Sequence, residues 1–255
     1  MAESFMQSVA TISNNKIKEI QKLHLKKYRE ELDLFLAEGI KSVEELIDKN
    51  IPIVEIYATK PFNNSKKLNK KITIIDEKLM KKISTTDSPC EIIAIAKKKQ
   101  VDKNIFSKLN KIVLLDKISD PGNLGTIIRS AAAFGIDGII LFSECVELYS
   151  PKVIRSTTGN FFKLPIISIK DTDELKKLLP NHKFIATALS EKNNLSIKEC
   201  ANLDNFIVMF GSEAKGLCSD LIKIADKNIK LNMMNNVESI NLSVCASIIF
   251  YELNN

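Results

Sequence analysis

The sequence has no tryptophan, only two histidines, and five cysteines that never fall in a C-x-x-C pair. Metal-centred hydrolysis and His-based nucleophilic catalysis both need convergent imidazole or thiolate groups, so this composition works against a zinc site and against a Ser-His-Asp triad. His24 stands in a lysine-rich helical stretch and His182 in a Pro-Asn-His turn. Cys90, Cys145, Cys200, Cys218 and Cys245 are widely spaced and odd in number, which reads as reduced, mostly buried thiols. No run approaches the roughly 18 apolar residues of a membrane span. The N-terminus lacks a basic segment followed by an apolar one, so the expectation is a cytoplasmic protein with no membrane and no metal. Glycine is nearly absent from the first part of the chain: only Gly39 precedes residue 110, while Gly122, Gly125, Gly135, Gly138, Gly159, Gly211 and Gly216 follow it. Glycine collects where backbone turns tightly or approaches a ligand closely, which points the ligand chemistry toward the second part.

Charge is divided at the same place. The net charge is +6 over 255 residues, and residues 1–108 carry all of it, with 21 of the 37 Lys+Arg and 15 of the 31 Asp+Glu. A basic segment joined to a neutral one suggests a polyanion-binding module attached to something else, although solvated lysine faces would give the same count. Residues 14–31 set Ile17, Ile20, Leu23 and Leu25 among Lys16, Lys18, Lys22, Lys26, Lys27 and Arg29, an amphipathic basic helix that either lies on RNA phosphates or covers a small domain.

Apolar runs alternate with helical patterns along the whole chain. Strands are expected at 34–37, 53–57, 72–75 and 91–96, with helices at 43–48 and 77–83, a small α/β domain closed by a linker at 100–110. In the second part strands are expected at 112–115, 138–142, 164–168, 184–188, 206–210 and 229–231, with helices near 123–134, 151–158, 172–179, 217–226 and 240–252. Near-continuous apolar strands between helices imply a parallel sheet covered on both faces.

Three loops at strand ends carry the chemistry. Asp120-Pro121 reads as an N-cap with proline at the first helical position. Behind it Leu124, Ile127, Ile128 and Ala131 make an apolar face, and Asn123, Thr126 and Arg129 line its flank. A polar row at the start of a helix that follows a buried strand stands where open α/β sheets hold ligands, or is a solvated flank. The stretch 206–216 runs a strand into Gly211-x-Glu213-x-x-Gly216, which is neither G-x-G-x-x-G nor a Walker loop. The last helix is expected to use Ser239 as its N-cap and Ile240, Val244, Ile248 and Tyr251 as its apolar face.

Taken in order, N-x-G-x-x-x-R (Asn123, Gly125, Arg129), G-x-E-x-x-G (Gly211, Glu213, Gly216) and S-x-N-x-S (Ser239, Asn241, Ser243) resemble the SpoU-type, or TrmH-like, RNA 2′-O-ribose methyltransferases of the SPOUT superfamily. The likeness spans 112–252 and includes SPKVIRSTTGNFFKLP at 150–165. The first part looks like the substrate-binding domain often joined to this family, which resembles ribosomal protein L30e. The resemblance implies an L30e-like α/β domain over 1–108 and a parallel-sheet α/β methyltransferase domain with a C-terminal trefoil knot over 109–255. It implies S-adenosylmethionine as cofactor, met by Gly211, Leu231 and Ile240, and a homodimer. Arg129 matches the position that activates the ribose 2′-hydroxyl, with Asn123, Glu213, Ser239 and Asn241 completing the site. Ribosomal RNA is the expected substrate. Transfer RNA, or a non-catalytic RNA-binding role on the same fold, are the alternatives. Charge and position nominate Lys26, Lys27, Arg29, Lys66, Lys67, Lys70, Lys71 and Arg155 as RNA contacts. The chain departs from the family in having Asn232 where proline is usual and Asn235 where glycine is usual.

Overall fold

The fold was analysed on a computed structural model, which describes residues 9–60, 71–187, 194–235 and 239–254. These group into two compact units, Met1–Lys99 with Glu147–Phe162, and Gln100–Val146 with Lys163–Asn255. The stretch 147–162, expected with the second domain, thus packs with the first unit.

In the first unit the basic stretch 14–31 is not one helix. It breaks into α1 (Asn14–Lys22) and α2 (Lys26–Leu32), because Leu25 adopts an extended conformation between them. The break lets Leu23 bury and turns Arg29 inward, where its Nη1 donates to the Leu23 carbonyl at 2.7 Å. Then follow β1 (Leu34–Glu38), α3 (Ile40–Asp48), β2 (Ile53–Ala58), β3 (Ile72–Ile74), α4 (Glu77–Ile83) and β4 (Ile92–Lys97). The strands form a mixed sheet in the order β1-β4-β2-β3, with only β2 and β3 parallel. Ile17, Ile20, Leu36, Met80, Ile83 and Ile93 fill the layer between the sheet and α1 and α4.

Residues 147–162 are held in this unit mainly by charged and polar groups. Glu147 accepts from Arg29 Nε at 3.0 Å, and the pair is almost wholly buried. The Glu45 carboxylate takes the backbone N–H groups of Phe161 and Phe162 at 3.0 and 2.7 Å. The Tyr149 ring packs 5.0 Å from Phe35 and 5.2 Å from Phe161, and burial pushes its phenol up to about 12. The short helix α6 (Pro151–Ser156) carries Arg155, whose Nη1 donates to buried Glu38 at 2.6 Å.

The second unit opens with a 3-10 turn at Lys103–Lys108, inside the stretch expected to be a linker, and buries Phe106. It continues through β5 (Lys111–Asp116), α5 (Pro121–Ala133), β6 (Gly138–Phe142), β7 (Ile166–Ile169), α7 (Thr172–Leu178), β8 (Lys183–Thr187), β9 (Asn194–Leu195), α8 (Ile197–Ala201), β10 (Phe206–Phe210), α9 (Ser219–Ile224), β11 (Lys227–Ile229) and α10 (Leu242–Glu252). All its strands are parallel, in the order β7-β6-β5-β10-β8-β11-β9. The chain leaves β5 toward β6 and leaves β10 toward β11, on the opposite side. The β5/β10 pair is therefore the switch point, where open α/β sheets form a crevice beyond their strand ends.

Helix α5 follows the sequence pattern. Asp120 caps it, Pro121 opens it, and Leu124, Ile127, Ile128 and Ala131 are fully buried. A side chain of leucine or isoleucine size contributes about 1.5–3 kcal/mol when so buried, enough to fix which flank of α5 stays outside. Helix α10 does not follow its pattern. Its N-cap is Asn241, which accepts from Ser243 and Val244 N–H, and not Ser239. Leu242, Ala246, Ile249 and Phe250 bury, while Val244, Ile248 and Tyr251 stay exposed. Val244, Ile248 and Tyr251 of the expected apolar face thus point outward, and the helix is apolar on both sides.

Removing one partner of a buried ion pair leaves an uncompensated charge and costs about 3–5 kcal/mol, whereas replacing both with apolar groups is far milder. Chemical denaturation should therefore show Arg29→Met to be strongly destabilised and Arg29→Met/Glu147→Leu to recover most of the loss.

Candidate functional site

Beyond the C-terminal ends of β5 and β10, two loops and the start of α10 meet on one carboxylate. Glu213 lies on a tight turn closed by paired hydrogen bonds between Ser212 and Gly216, at 3.1 and 2.8 Å. The turn folds back so closely that a Cβ on Gly211 would lie 1.9 Å from the Gly216 carbonyl carbon, so only glycine fits there. Gly216 itself has φ +65°, in the left-handed region. The far end of the loop is pinned to β5, because the wholly buried Asp116 accepts the Cys218 N–H at 2.8 Å.

Glu213 Oε1 accepts from Asn123 Nδ2 at 2.7 Å, from Asn241 Nδ2 at 3.3 Å and from the Leu242 N–H at 3.5 Å. Asn241 Nδ2 also donates to Asn123 Oδ1 at 3.0 Å, closing a triangle of three side chains. Each amide has one orientation that fits. Asn241 Oδ1 is taken by the Ser243 N–H and hydroxyl at 2.9 and 2.6 Å, which leaves its Nδ2 for the other two. Asn123 is fixed at its backbone as well, donating to the Asp120 cap at 2.7 Å.

A cavity of 420 Å³ adjoins the triangle, lined by Thr187, Phe210, Gly211, Glu213, Ser239, Ile240, Asn241 and Cys245 among others. Its volume falls in the range of small-molecule sites, about 300–1,000 Å³. Burial raises the thiol pKa of all five cysteines, Cys245 at this cavity included, so none is set up as a nucleophile. Among the described residues no cluster could hold a metal ion, and no helix is long and apolar enough to cross a membrane.

Of the residues expected from sequence, Asn123, Glu213 and Asn241 are brought into direct contact, and Gly211, Ser239 and Ile240 line the cavity beside them. Arg129 is exposed on the flank of α5, and half-buried Leu231 lies on the loop after β11; neither lines this cavity. Asp116 and Thr187 were missed. Asp116 carried a weak signal, a charged residue ending the apolar run 112–115.

The expected RNA contacts divide. Lys26, Lys27 and Lys71 are exposed, with Lys26 in an exposed ion pair to Glu30. Lys66, Lys67 and Lys70 lie outside the described residues. Arg29 is corrected: it is 3% exposed and its guanidinium is committed to Glu147, so it cannot meet a phosphate. Arg155 is half-buried and tied to Glu38 and Thr85.

Comparison with known proteins fits this geometry. The chain is 29% identical over 253 residues to the 23S rRNA (guanosine(2553)-2′-O)-methyltransferase RlmP of Bacillus subtilis, covering 97% of this chain and 99% of that one. It is 26% identical over 261 residues to the 23S rRNA (adenosine(1067)-2′-O)-methyltransferase of Streptomyces azureus, covering 97% and 96%. Among solved structures, the AdoMet-bound rRNA methyltransferase of Sinorhizobium meliloti superposes with a TM-score of 0.85 at 27% identity, covering 96% of each chain. Residues 14–94 match the MRM3-like substrate binding domain. Residues 110–251, more than half of the chain, match the SpoU rRNA Methylase family, and the chain belongs to that family.

Proposed function

We propose that this protein is an S-adenosylmethionine-dependent RNA 2′-O-ribose methyltransferase that modifies ribosomal RNA of the 23S type, as a cytoplasmic homodimer. The observation that carries the reading is the Asn123–Glu213–Asn241 triangle, in which three motifs far apart in sequence meet beside a cavity of cofactor size. Both relatives named above methylate a ribose 2′-oxygen of 23S rRNA, and the N-terminal part, matched to a substrate-binding domain, carries the basic excess. In this reading residues 1–108 bind RNA and 109–255 form the knotted methyltransferase domain. The knot would involve the stretch after β11, where residues 236–238 lie outside the described residues.

The cavity suits the cofactor chemically. Phe210, Met233, Ile240 and Leu242 offer apolar surface for a purine, while Thr187, Ser239 and the loop backbone at Gly211 offer hydrogen bonds. Gly211 and Ile240 would hold it, with Leu231 on the adjoining loop. S-Adenosylmethionine supplies, when bound, a methyl group on a sulfonium centre. The chain's own residues have to prepare a poor nucleophile. A ribose hydroxyl must lose its proton as its oxygen attacks, and a fixed cation beside the growing negative charge lowers that barrier. Arg129 supplies the cation; its guanidinium stays protonated, so it acts on the oxygen's charge while water or an RNA phosphate takes the proton. Asn123, Glu213 and Asn241, already locked to one another, orient the ribose without reorganising, and Ser239 adds a hydroxyl beside them.

The exposed apolar side of α10 supports the homodimer. Val244, Ile248 and Tyr251 are 49%, 38% and 53% exposed along one stripe, on a helix whose other side is already buried. An exposed apolar patch of that kind is suited to a two-fold interface, in which the same surface of each copy covers the other.

Ribosomal RNA from cells lacking the protein, incubated with radiolabelled cofactor, should acquire label on a ribose 2′-oxygen. Arg129→Ala should lower the rate by about 10²–10³-fold, the usual loss when one charge-stabilising donor is removed, with cofactor affinity retained. An unlabelled product from native protein that binds both partners would favour a non-catalytic RNA-binding role. Calorimetry should show tighter cofactor binding for Asn232→Pro/Asn235→Gly. Most of the gain should come from position 232, because Asn235 already has φ 57°. In light scattering, native protein should be dimeric and Val244→Glu/Ile248→Glu monomeric.

A further inference from the structure

A second cleft, of 290 Å³, adjoins the triangle and shares Ser212, Glu213 and Leu242 with the first cavity. Its remaining lining is Lys117, Ile118, Ser119, Asp120, Asn123, Ala214 and Lys215. Lys117 lies immediately after β5 with φ 54°, a left-handed conformation that is unfavourable for lysine. Lys215 sits on the Glu213 turn, its N–H donating to Ser212 Oγ at 3.3 Å. Both lysines are exposed, and neither forms an ion pair with a described residue.

The acidic groups nearby are largely committed. Asp120 caps α5, and Glu213 Oε1 accepts three N–H groups. Asp220, close enough to feel Lys117, is paired with Lys223 at 3.0 Å. The cleft therefore presents two ammonium groups and hydroxyls at Ser119 and Ser212, beside the hydrogen-bonded carboxylates of Asp120 and Glu213, on a lining that is otherwise largely apolar. Two exposed ammonium groups beside apolar surface suit a sugar–phosphate, the lysines meeting the phosphate and the apolar lining the sugar.

We infer that the Lys117–Lys215 cleft seats the RNA sugar–phosphate next to the target ribose, with the two lysines contacting its phosphate. This rests on the methyltransferase reading, because it is Glu213, shared by both cavities, that makes a phosphate here the neighbour of the reacting ribose. The contact positions the strand and reads no base. It separates this subsite from the N-terminal lysines, which bind RNA far from the chemistry along the chain.

The test compares native protein with Lys117→Asn/Lys215→Gln. Asparagine tolerates the left-handed conformation, so the backbone at 117 is kept. The probe is ribosomal RNA from a strain lacking the protein, with binding measured across a salt series and methyl transfer followed in parallel. The double variant should bind about tenfold more weakly, and the slope of log affinity against log salt should fall by about one, for the single phosphate the two lysines share. Its KM for RNA should rise while cofactor affinity stays unchanged, and Lys117→Arg/Lys215→Arg should restore binding. Unchanged affinity, slope and KM in a variant that still methylates would overturn the cleft and leave the methyltransferase reading standing. Native protein that binds this RNA with the expected lysine-dependent slope but transfers no methyl group would uphold the phosphate contact and overturn the methyltransferase reading. Native protein that does not bind it overturns both.

Discussion

The adjacency of β5 and β10 is the constraint on which the candidate site depends. These strands are separated by some ninety residues, yet pair in register from Phe206 against Lys111 to Phe210 against Leu115. The pairing sets the first turn of α5, bearing Asn123, beside the loop bearing Glu213, and the switch of chain direction at that pair leaves a crevice open between them. A sheet whose second half ran outward from β5 in sequence order would have placed β8 next to β5 and separated Glu213 from Asn123. The buried carboxylate of Asp116 reinforces the pairing at its functional end, since it ends β5 and holds Cys218 at the exit of the Glu213 loop. Its second oxygen, Oδ1, is buried with no hydrogen-bond partner among the described residues, an arrangement that costs stability beside the point where Cys218 is held.

Glu213 gathers its partners by accepting N–H groups from two side chains and one backbone position on a single oxygen. The donors come from elements with independent reasons to be where they are: α5 is fixed by its apolar face and α10 by its cap. Asn241 belongs to both arrangements. Its Oδ1 starts α10 and its Nδ2 reaches Asn123 and Glu213, so the structural and the functional reading of this residue are two ends of one amide. A serine at 241 would still cap the helix, but its single short hydroxyl would replace the amide Nδ2 that donates to both Asn123 and Glu213. Chemistry therefore explains the asparagine better than capping does.

Much of this was legible in the sequence where the signal is local. The strands 138–142 and 206–210 are unbroken apolar runs and appear with those bounds. Asp120-Pro121 announced the start of α5, and Asn235 was expected to accept a left-handed conformation, which it does. Elements without apolar periodicity were missed: β9 is only Asn194–Leu195, and α8 has a single buried cysteine. The break at 23–25 was hidden because lysines continue across it, and what decides it is the long-range burial of Arg29. Strand order could not be read at all, since every strand of a parallel sheet carries the same apolar pattern and only tertiary packing ranks them. The meeting of the three motifs was accordingly an implication of family resemblance, whereas the triangle of hydrogen bonds is a fact of the fold.

Helix α10 shows how a correct pattern can be assigned to the wrong side. Val244, Ile248 and Tyr251 do form an apolar stripe, with Ile240 lying before the helix at the cavity, and a lone amphipathic helix would bury such a stripe. Here the helix is apolar around its circumference, and one contact that fixes its orientation is polar: Ser247 donates to Ser130 of α5 at 2.7 Å, while Ala246 beside it is fully buried. The other side stays partly exposed, although Tyr251 meets the Phe134 ring edge-on. A stripe of valine, isoleucine and tyrosine on the same helix whose first turn builds the site links the two properties proposed for this protein. Covering that stripe with a second copy would brace the helix that carries Asn241, so association would steady the geometry of the triangle as well as hide apolar surface.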